Sequence, residues 1–575
     1  MATNGSDNKR SGSERLTQRT GTDDAPPRSG LATRVQNAAP GSVDPISRVR
    51  NVAFVRIAGP PRPFGLRHRV DGAFLPPGLL RVCRVSRSPR VPATSLVVSA
   101  SLVVTAALGL TASTGASAAV AAPPATAVPL AAPARLAPLT LAATAAASTR
   151  RELPLVSTVA AERRVGKAIG HRRVARSLQR FLGKNLAIRV EDAESGRIIF
   201  GRQARQGKLP ASNMKLVTAF NALSVLGPDH RFATTVVSGA TPDAVVLRAG
   251  GDPLLTSADL TELAKRTTTA LVAKLAEAKQ RDPGSTLSLD STFTLSFDDS
   301  LFPAFSNGPG WSRGYVPYVV APVSALSRDL RTGADPGRSA ATYFGTQLTK
   351  LAAAAGVTVR FSGGTSPGRT VASTDAASLA ALDGHSVEQA VRLMLTVSQN
   401  DVAEILYRQV AVGRGLVPTW ANSAAAAAAT LREHGISTSR LVAADGSGVS
   451  RYDRISAITL AALLRQVADP TRTELASMYY GASGFGPSLP VAGKTGTLAA
   501  RNGRYTTKPS RCAAGIVVAK TGTLHDVVAL SGIAPGADGQ LKVFSIMVNN
   551  RNERYSALST RRAVDALAAT VTGCF

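Results

Sequence analysis

Pro210-Ala211-Ser212-Asn213-Met214-Lys215-Leu216-Val217-Thr218-Ala219-Phe220-Asn221-Ala222-Leu223-Ser224-Val225-Leu226 is the stretch from which the fold is read. Met214, Leu216, Val217, Phe220, Leu223 and Leu226 recur every three to four positions, so a helix opening at Pro210-Ala211-Ser212 lays one apolar face against a core. On that helix Ser212 and Lys215 stand one turn apart. Just upstream, Leu186-Ala187-Ile188-Arg189-Val190-Glu191-Asp192 alternates as a half-buried strand does; Ser195-Gly196 then turns the chain into a second strand, Ile198-Ile199-Phe200. A hairpin feeding a helix is the local plan.

Downstream, residues 240–360 carry short β-like runs and Pro/Gly-rich loops, among them Gly250-Gly251-Asp252-Pro253 and Gly308-Pro309-Gly310-Trp311, followed by a helix through Leu348 to Ala355. This composition suits an inserted domain. Ser386 to Gln409 reads as helical, Ala421 to Glu433 as a helix of almost pure Ala, and Gly515 to Ala519 with Val527 to Ile533 as adjacent strands. A strand at Val543 to Val548 and a helix at Arg561 to Val571 close an α/β (α+β) pattern without an internal repeat. The expected division is 150–240 and 361–575 as two parts of one domain, with 241–360 inserted between them.

The 575 residues are 44% hydrophobic and 18% charged, too long for one ordinary domain and too apolar for a disordered chain. The 67 Lys and Arg against 37 Asp and Glu give a net charge of +30, but the excess is scattered rather than gathered in a stripe, which argues against nucleic acid as a partner. Three cysteines and six histidines lack zinc spacing, so neither a metal site nor a cofactor is expected.

Residues 1–90 hold 16 Lys/Arg against 6 Asp/Glu in a Gly/Pro/Ser-rich context and read as a disordered basic extension. Residues 91–118 follow Arg81, Arg84, Arg87 and Arg90 with an uncharged apolar run from Ser95 to Leu110 and end in Ala116-Ser117-Ala118. That is the order of a signal peptide or, uncleaved, a signal anchor. A leader so far from Met1 implies either a basic tail ahead of it or a start near Val82 or Val85. Residues 119–149 form an Ala/Pro-rich tether. An exported protein, in the cell envelope or outside it, is expected.

Three short motifs occur in one order: Ser212-Asn213-Met214-Lys215, Ser398-Gln399-Asn400 and Lys520-Thr521-Gly522. Each alone is weak, but the ordered set Ser-x-x-Lys, Ser-x-Asn, Lys-Thr-Gly is shared by penicillin-binding proteins and class A β-lactamases. The chemistry accounts for the residue types. A serine hydroxyl needs a base, and a desolvated Lys one helical turn away, facing a second cation such as Lys520, has its pKa lowered toward that role. Ser398 can bridge the two lysines and pass a proton to a leaving amine, while Asn400 holds a substrate amide carbonyl. Lys520 and Thr521 suit a terminal carboxylate, Gly522 permits close approach, and the backbone N–H groups of Ser212 and Thr523 would form an oxyanion hole. Lys-Thr-Gly-Thr-Leu occurs twice. The copy at Lys520 follows a β-branched run and precedes another strand, whereas the copy at Lys494 sits in polar, Gly-containing sequence and reads as a loop.

Beyond these motifs the chain resembles the D-alanyl-D-alanine carboxypeptidase/endopeptidase family of low-molecular-mass class C penicillin-binding proteins. The resemblance runs through Pro210 to Lys215, Leu226-Gly-Pro-Asp-His-Arg-Phe232, Gly250-Gly-Asp-Pro253, Asp298-Asp-Ser-Leu-Phe302 with Pro309-Gly-Trp311, Ser398-Gln-Asn-Asp-Val-Ala-Glu404, Asp445-Gly-Ser-Gly448 and Ala519-Lys-Thr-Gly-Thr-Leu524. It covers about Leu153 to the C-terminus. It implies a serine transpeptidase/β-lactamase-like domain with a large insertion, and the long separation of Ser212 from Ser398 agrees. It further implies a serine DD-peptidase acting on peptidoglycan stem peptides and acylated by β-lactam antibiotics. DD-endopeptidase action on cross-links, a β-lactamase and a non-catalytic wall-binding homologue are the alternatives. The segment 489–501 resembles a family segment in which Lys494-Thr495 is a local departure.

Smaller expectations complete the reading. Cys512 and Cys574 either pair or stay as thiols. Glu404 makes a structural hydrogen bond rather than activating water, Trp311 and Tyr315 pack rather than line a groove, and Asp445 and Ser447 shape the rim of the site from a turn. The positive charge suits an anionic cell envelope.

Overall fold

The structure, a computed structural model, describes residues 158–281, 283, 292–330, 333–482 and 484–575. The expected basic extension, leader and tether lie outside these residues. Helices α1 (Thr158–Val174) and α2 (Arg176–Leu182) lead into the hairpin β1 (Leu186–Asp192) and β2 (Ile198–Arg202). A 3₁₀ turn, Ala211–Asn213, then opens α3 (Met214–Leu226).

The chain next builds β3 (Thr234–Ser238), β4 (Ala244–Arg248), α4 (Ser257–Arg281), β5 (Thr292–Asp298), α5 (Pro336–Ala354), β6 (Thr358–Phe361), β7 (Gly368–Arg369) and β8 (Ser378–Leu382). Their sheet runs β6-β5-β4-β3-β8, with β7 beside β5. The pairs β4–β5 and β5–β6 are parallel because α4 and α5 carry the crossovers. Leu260, Leu263, Leu271, Phe344 and Leu348 of these helices pack on Leu247, Phe293, Leu295 and Phe297 of the sheet. The sheet therefore reaches beyond 241–360 at both ends, because β3 and β8 pair with each other across those limits. Helix α5 also starts well before Leu348: the Asp335 side chain caps it by accepting from Arg338 N, and Pro336 fits its first turn.

The return passes through α6 (Val387–Val397), α7 (Asn400–Gly413), α8 (Trp420–Glu433), α9 (Ala457–Ala468) and α10 (Ala476–Tyr479) to β9 (Val518–Thr523), β10 (Val527–Pro535), β11 (Leu541–Asn549) and α11 (Ala557–Val571). These strands and the hairpin form a five-stranded antiparallel sheet, β2-β1-β11-β10-β9. Alternation divides its side chains. Phe544, Ile546, Val548, Val528, Leu530 and Ala519 face α1 and α11. Val543, Met547, Ala529, Ile533 and Val518 face the helical core of α3, α6, α7 and α9.

Two further expectations are corrected. The helix read across 386–409 is broken at Ser398, whose φ of 65° closes α6 in the left-handed region before α7 begins at Asn400. Apolar periodicity runs through the break because both halves pack on one core. The strand read from Gly515 starts only at Val518, since residues 513–517 turn and pair with Ala492: Gly515 N donates to Ala492 O and Ala492 N to Val517 O.

Candidate active site

Ser212 sits in the turn ahead of α3, on the flank of β9. Asn213 Nδ2 donates to Lys520 O at 3.3 Å, tying that turn to the strand. Close packing explains Gly522, where a Cβ would lie 2.6 Å from Pro210 O and 3.2 Å from Ala211 Cβ. Gly448 is tighter: its φ is 83°, and a Cβ would come within 1.9 Å of Ala211 O.

Lys215 is fully buried and donates to three acceptors, Ser212 Oγ at 3.3 Å, Asn400 Oδ1 at 2.7 Å and the Ser447 carbonyl at 2.7 Å. Burial lowers its pKa; the carboxylates of Asp445, Glu404, Asp401 and Asp453 oppose this, and the balance is about 8. Lys520, also fully buried, donates to Ser398 Oγ at 2.9 Å and to the Thr521 carbonyl at 3.1 Å. Burial, then the charge of Lys215, hold it well below an ordinary lysine. Of the two causes expected from sequence, desolvation and a facing cation, desolvation is the one that lowers the Lys215 pKa. The expected Ser398 bridge is made on the Lys520 side only, because Lys215 spends its donors on Ser212, Asn400 and Ser447.

Asn400 is held at both ends of its amide, since Nδ2 donates to Val319 O at 2.8 Å and Oδ1 accepts from Lys215. One Nδ2 hydrogen is left for a ligand. On β9, Thr521 Oγ1 donates to Thr497 Oγ1 at 2.8 Å, and Thr523 Oγ1 accepts from Arg561 Nε at 3.2 Å. Ser212, Lys215, Ser398, Asn400, Lys520, Thr521, Gly522 and Thr523 therefore gather where α3, the α6–α7 break and β9 meet. Lys494 is exposed in a turn.

Sequence reasoning misplaced one loop and missed three residues. Asp445 and Ser447 are fully buried beneath the site rather than on its rim. Asp445 accepts from Gly448 N, Ser450 N and Trp311 Nε1, and its neighbour Ser447 offers Lys215 a carbonyl. Glu404 supports that loop by accepting from Gly446 N at 3.0 Å and Ser447 N at 2.9 Å, the structural bond expected. Burial, then Asp445, push the Glu404 pKa up to about 8. Val319 and Arg561 carry no local signal, because a backbone carbonyl and a helix-surface arginine look ordinary in sequence. Thr497 was hidden in the repeated Lys-Thr-Gly-Thr-Leu. Trp311 packs edge-on against Trp420, as expected of a packed position. Cys512 and Cys574 are joined as a disulfide.

Among solved structures, penicillin binding protein 4 (dacB) from Haemophilus influenzae aligns at 19% identity and a TM-score of 0.53, over 69% of this chain and 98% of that one. The shared fold is that of the serine transpeptidases. Carboxypeptidase DacB of Mycolicibacterium smegmatis is 30% identical over 67% of this chain and 80% of its own length. The D-alanyl-D-alanine carboxypeptidase of Actinomadura sp. is 28% identical over 67% and 81% respectively. The model of the D-Ala-D-Ala carboxypeptidase 3 (S13) family matches residues 172–334 and 335–571, taking in the motif-bearing segments and the inserted sheet alike. On that span, and at 30% identity to the mycobacterial carboxypeptidase, the chain belongs to the D-Ala-D-Ala carboxypeptidase 3 (S13) family.

Proposed function

We propose that the chain is a serine-type DD-carboxypeptidase that removes the terminal D-alanine from peptidoglycan stem peptides through an acyl-enzyme. One observation supports the assignment of roles: the buried Lys215 amine is hydrogen-bonded to the Ser212 hydroxyl and to Asn400, while the second buried lysine, Lys520, is bonded to Ser398. Asn400 Oδ1 and the Ser447 carbonyl can only accept, so they claim two Nζ hydrogens. The remaining Nζ position faces Ser212 Oγ, and on the neutral amine that position is the lone pair that takes the serine proton.

Ser212 Oγ then bonds to the carbonyl carbon between the two D-alanines, with the oxyanion held by the Ser212 and Thr523 N–H groups. Ser398 gives its own proton to the departing amine and is reprotonated by Lys520, which donates to its Oγ; the C–N bond breaks, D-alanine leaves, and exchange with solvent returns a proton to Lys520 and removes the one taken up by Lys215. Water cleaves the ester in the reverse sense. Four carboxylates act on Lys215, whereas no described carboxylate raises the Lys520 pKa, and this asymmetry suits a substrate carboxylate docking beside Lys520, Thr521 and Thr523.

The five-stranded sheet with its helices is read as the transpeptidase-like part, and the six-stranded sheet as its insertion. Peptidoglycan lies outside the cytoplasmic membrane, which fits export to an anionic cell envelope; retention on isolated walls should then weaken with salt. Among the described residues no helix is long and apolar enough to cross a membrane.

The test is intact-mass analysis of the chain after incubation with a β-lactam, beside D-alanine release from a pentapeptide. One adduct on the protein, none on Ser212→Ala and D-alanine release by the parent alone are expected. An adduct that persists on Ser212→Ala would remove the nucleophile assignment, and one that clears within seconds would indicate a β-lactamase.

A further inference from the structure

Arg561, near the start of α11, is half-buried beside the last residue of β9. Its Nε donates to Thr523 Oγ1 at 3.2 Å, and no described carboxylate bonds its guanidinium. The acid whose field reaches it, Asp565, has one oxygen 2.7 Å from Arg504 Nε and the other 2.5 Å from Arg504 Nη2. Arg504 and Arg551 add positive charge around it. A guanidinium taken partly out of water, with two arginines beside it and its nearest carboxylate engaged by Arg504, is unfavourable unless something negative arrives.

The hydrogen bond also fixes a direction. A hydroxyl has one proton and two lone pairs, and a guanidinium can only donate. With one lone pair of Thr523 Oγ1 taken by Arg561, the Thr523 proton points elsewhere. Thr521 directs its proton to Thr497. Thr523 is therefore the hydroxyl on this strand whose proton is uncommitted, at the end of β9 where a ligand beside Lys520 would lie.

We infer that Arg561 is a positioning residue for the terminal carboxylate of the substrate, turning the Thr523 hydroxyl into a donor toward it and adding a second positive charge to that of Lys520. This rests on the DD-carboxypeptidase reading. It extends carboxylate recognition from the Lys-Thr-Gly strand to the C-terminal helix.

The experiment uses the full chain and two thioesters with the same D-alanyl acyl group, one whose leaving group ends in a free carboxylate and one in which that carboxylate is a methyl ester. Arg561→Gln should lower kcat/KM for the free acid about tenfold more than for the methyl ester, the size expected for losing one charge-assisted hydrogen bond. Arg561→Lys should restore part of the selectivity. Adding Arg561→Gln to Thr523→Val should cause a smaller selective loss than it does in the parent, because the orienting part acts through that one hydroxyl and only the charge is left to lose. Equal loss on both thioesters, or no loss, at an unchanged melting temperature overturns the inference. If Arg561→Gln unfolds, Thr523→Val alone decides, since an unselective effect there removes the donor that Arg561 is held to orient. A parent protein that turns over neither thioester overturns the DD-carboxypeptidase reading, and the inference falls with it.

Discussion

Three acceptors surround the Lys215 amine, and of these only Ser212 carries a proton, the one that the proposed reaction removes. The amine must be neutral to take it, and burial brings the Lys215 pKa to about 8. Acylation by a β-lactam should therefore rise with pH and reach half its maximum near that value; a rate flat from pH 6 to about 10, the ordinary range of lysine, would contradict the assignment. Lys215→Arg should abolish acylation, since a guanidinium stays protonated. Gly448 is a second test at this scale. Its φ of 83° and the 1.9 Å approach of a Cβ to Ala211 O mean that Gly448→Ala must displace the turn carrying Ser212. A displacement near 1 Å costs about 10²-fold in rate. Stopped-flow acylation of folded Gly448→Ala should show a loss of that order.

At the scale of elements, a buried ion cluster fastens α1 to the sheet. Lys542 on β11 donates to Glu162 of α1 at 2.8 Å, Asp192 of β1 at 2.7 Å and Asp538 at 2.8 Å. Burial alone would raise the Asp192 pKa, but hydrogen bonds from Lys542 and Ser195 more than offset it and bring it to about 2 from 3.8. A carboxylate depressed on folding stabilises the protein above its unfolded pKa, and that contribution disappears as pH falls through the folded value. Urea unfolding should show about 2 kcal/mol lost between roughly pH 4 and pH 2 that Asp192→Asn no longer shows. Lys542→Met, which leaves the buried Asp192 and Asp538 carboxylates without their bonded cation, should cost about 3–5 kcal/mol at pH 7. The break between α6 and α7 is the other decisive element: the left-handed Ser398 swings its hydroxyl to Lys520 and restarts the helix with Asn400 aimed at Lys215.

Across the whole molecule, parts distant in sequence meet at the site. Loops of the inserted region supply the Val319 carbonyl to Asn400, the Trp311 indole N–H to Asp445 and the Ala321 N–H to Asp401 at 2.6 Å. Trp311→Phe keeps most of the packing on Trp420 and removes one donor to a buried carboxylate, so it should cost about 1–3 kcal/mol in stability and slow acylation in the same variant. The disulfide joins residues 62 apart and pins the end of α11 to the turn before β9. On chain entropy alone, opening a loop of that length costs on the order of 4 kcal/mol. Cys512→Ser with Cys574→Ser should therefore lower the melting temperature by several degrees, and an unchanged melt would show that the tertiary packing of α11 suffices without it.

The sequence by itself determined the Ser212 turn at the head of its helix, the three motifs and most element types, because Ser-x-x-Lys and helical or strand periodicity are local properties of successive residues. It also favoured Lys520 over Lys494 through the β-branched run ahead of it. Only the tertiary structure decided what happens at Ser398, since the apolar pattern continues across it while a single left-handed residue turns the backbone. Likewise, burial of Asp445 and Glu404, the carbonyls of Ser447 and Val319, and the approach of Arg561 to Thr523 come from residues far apart in the chain. Desolvation and hydrogen-bond partnership depend on what surrounds a group in space, and that is settled only when the two sheets and their helices have packed.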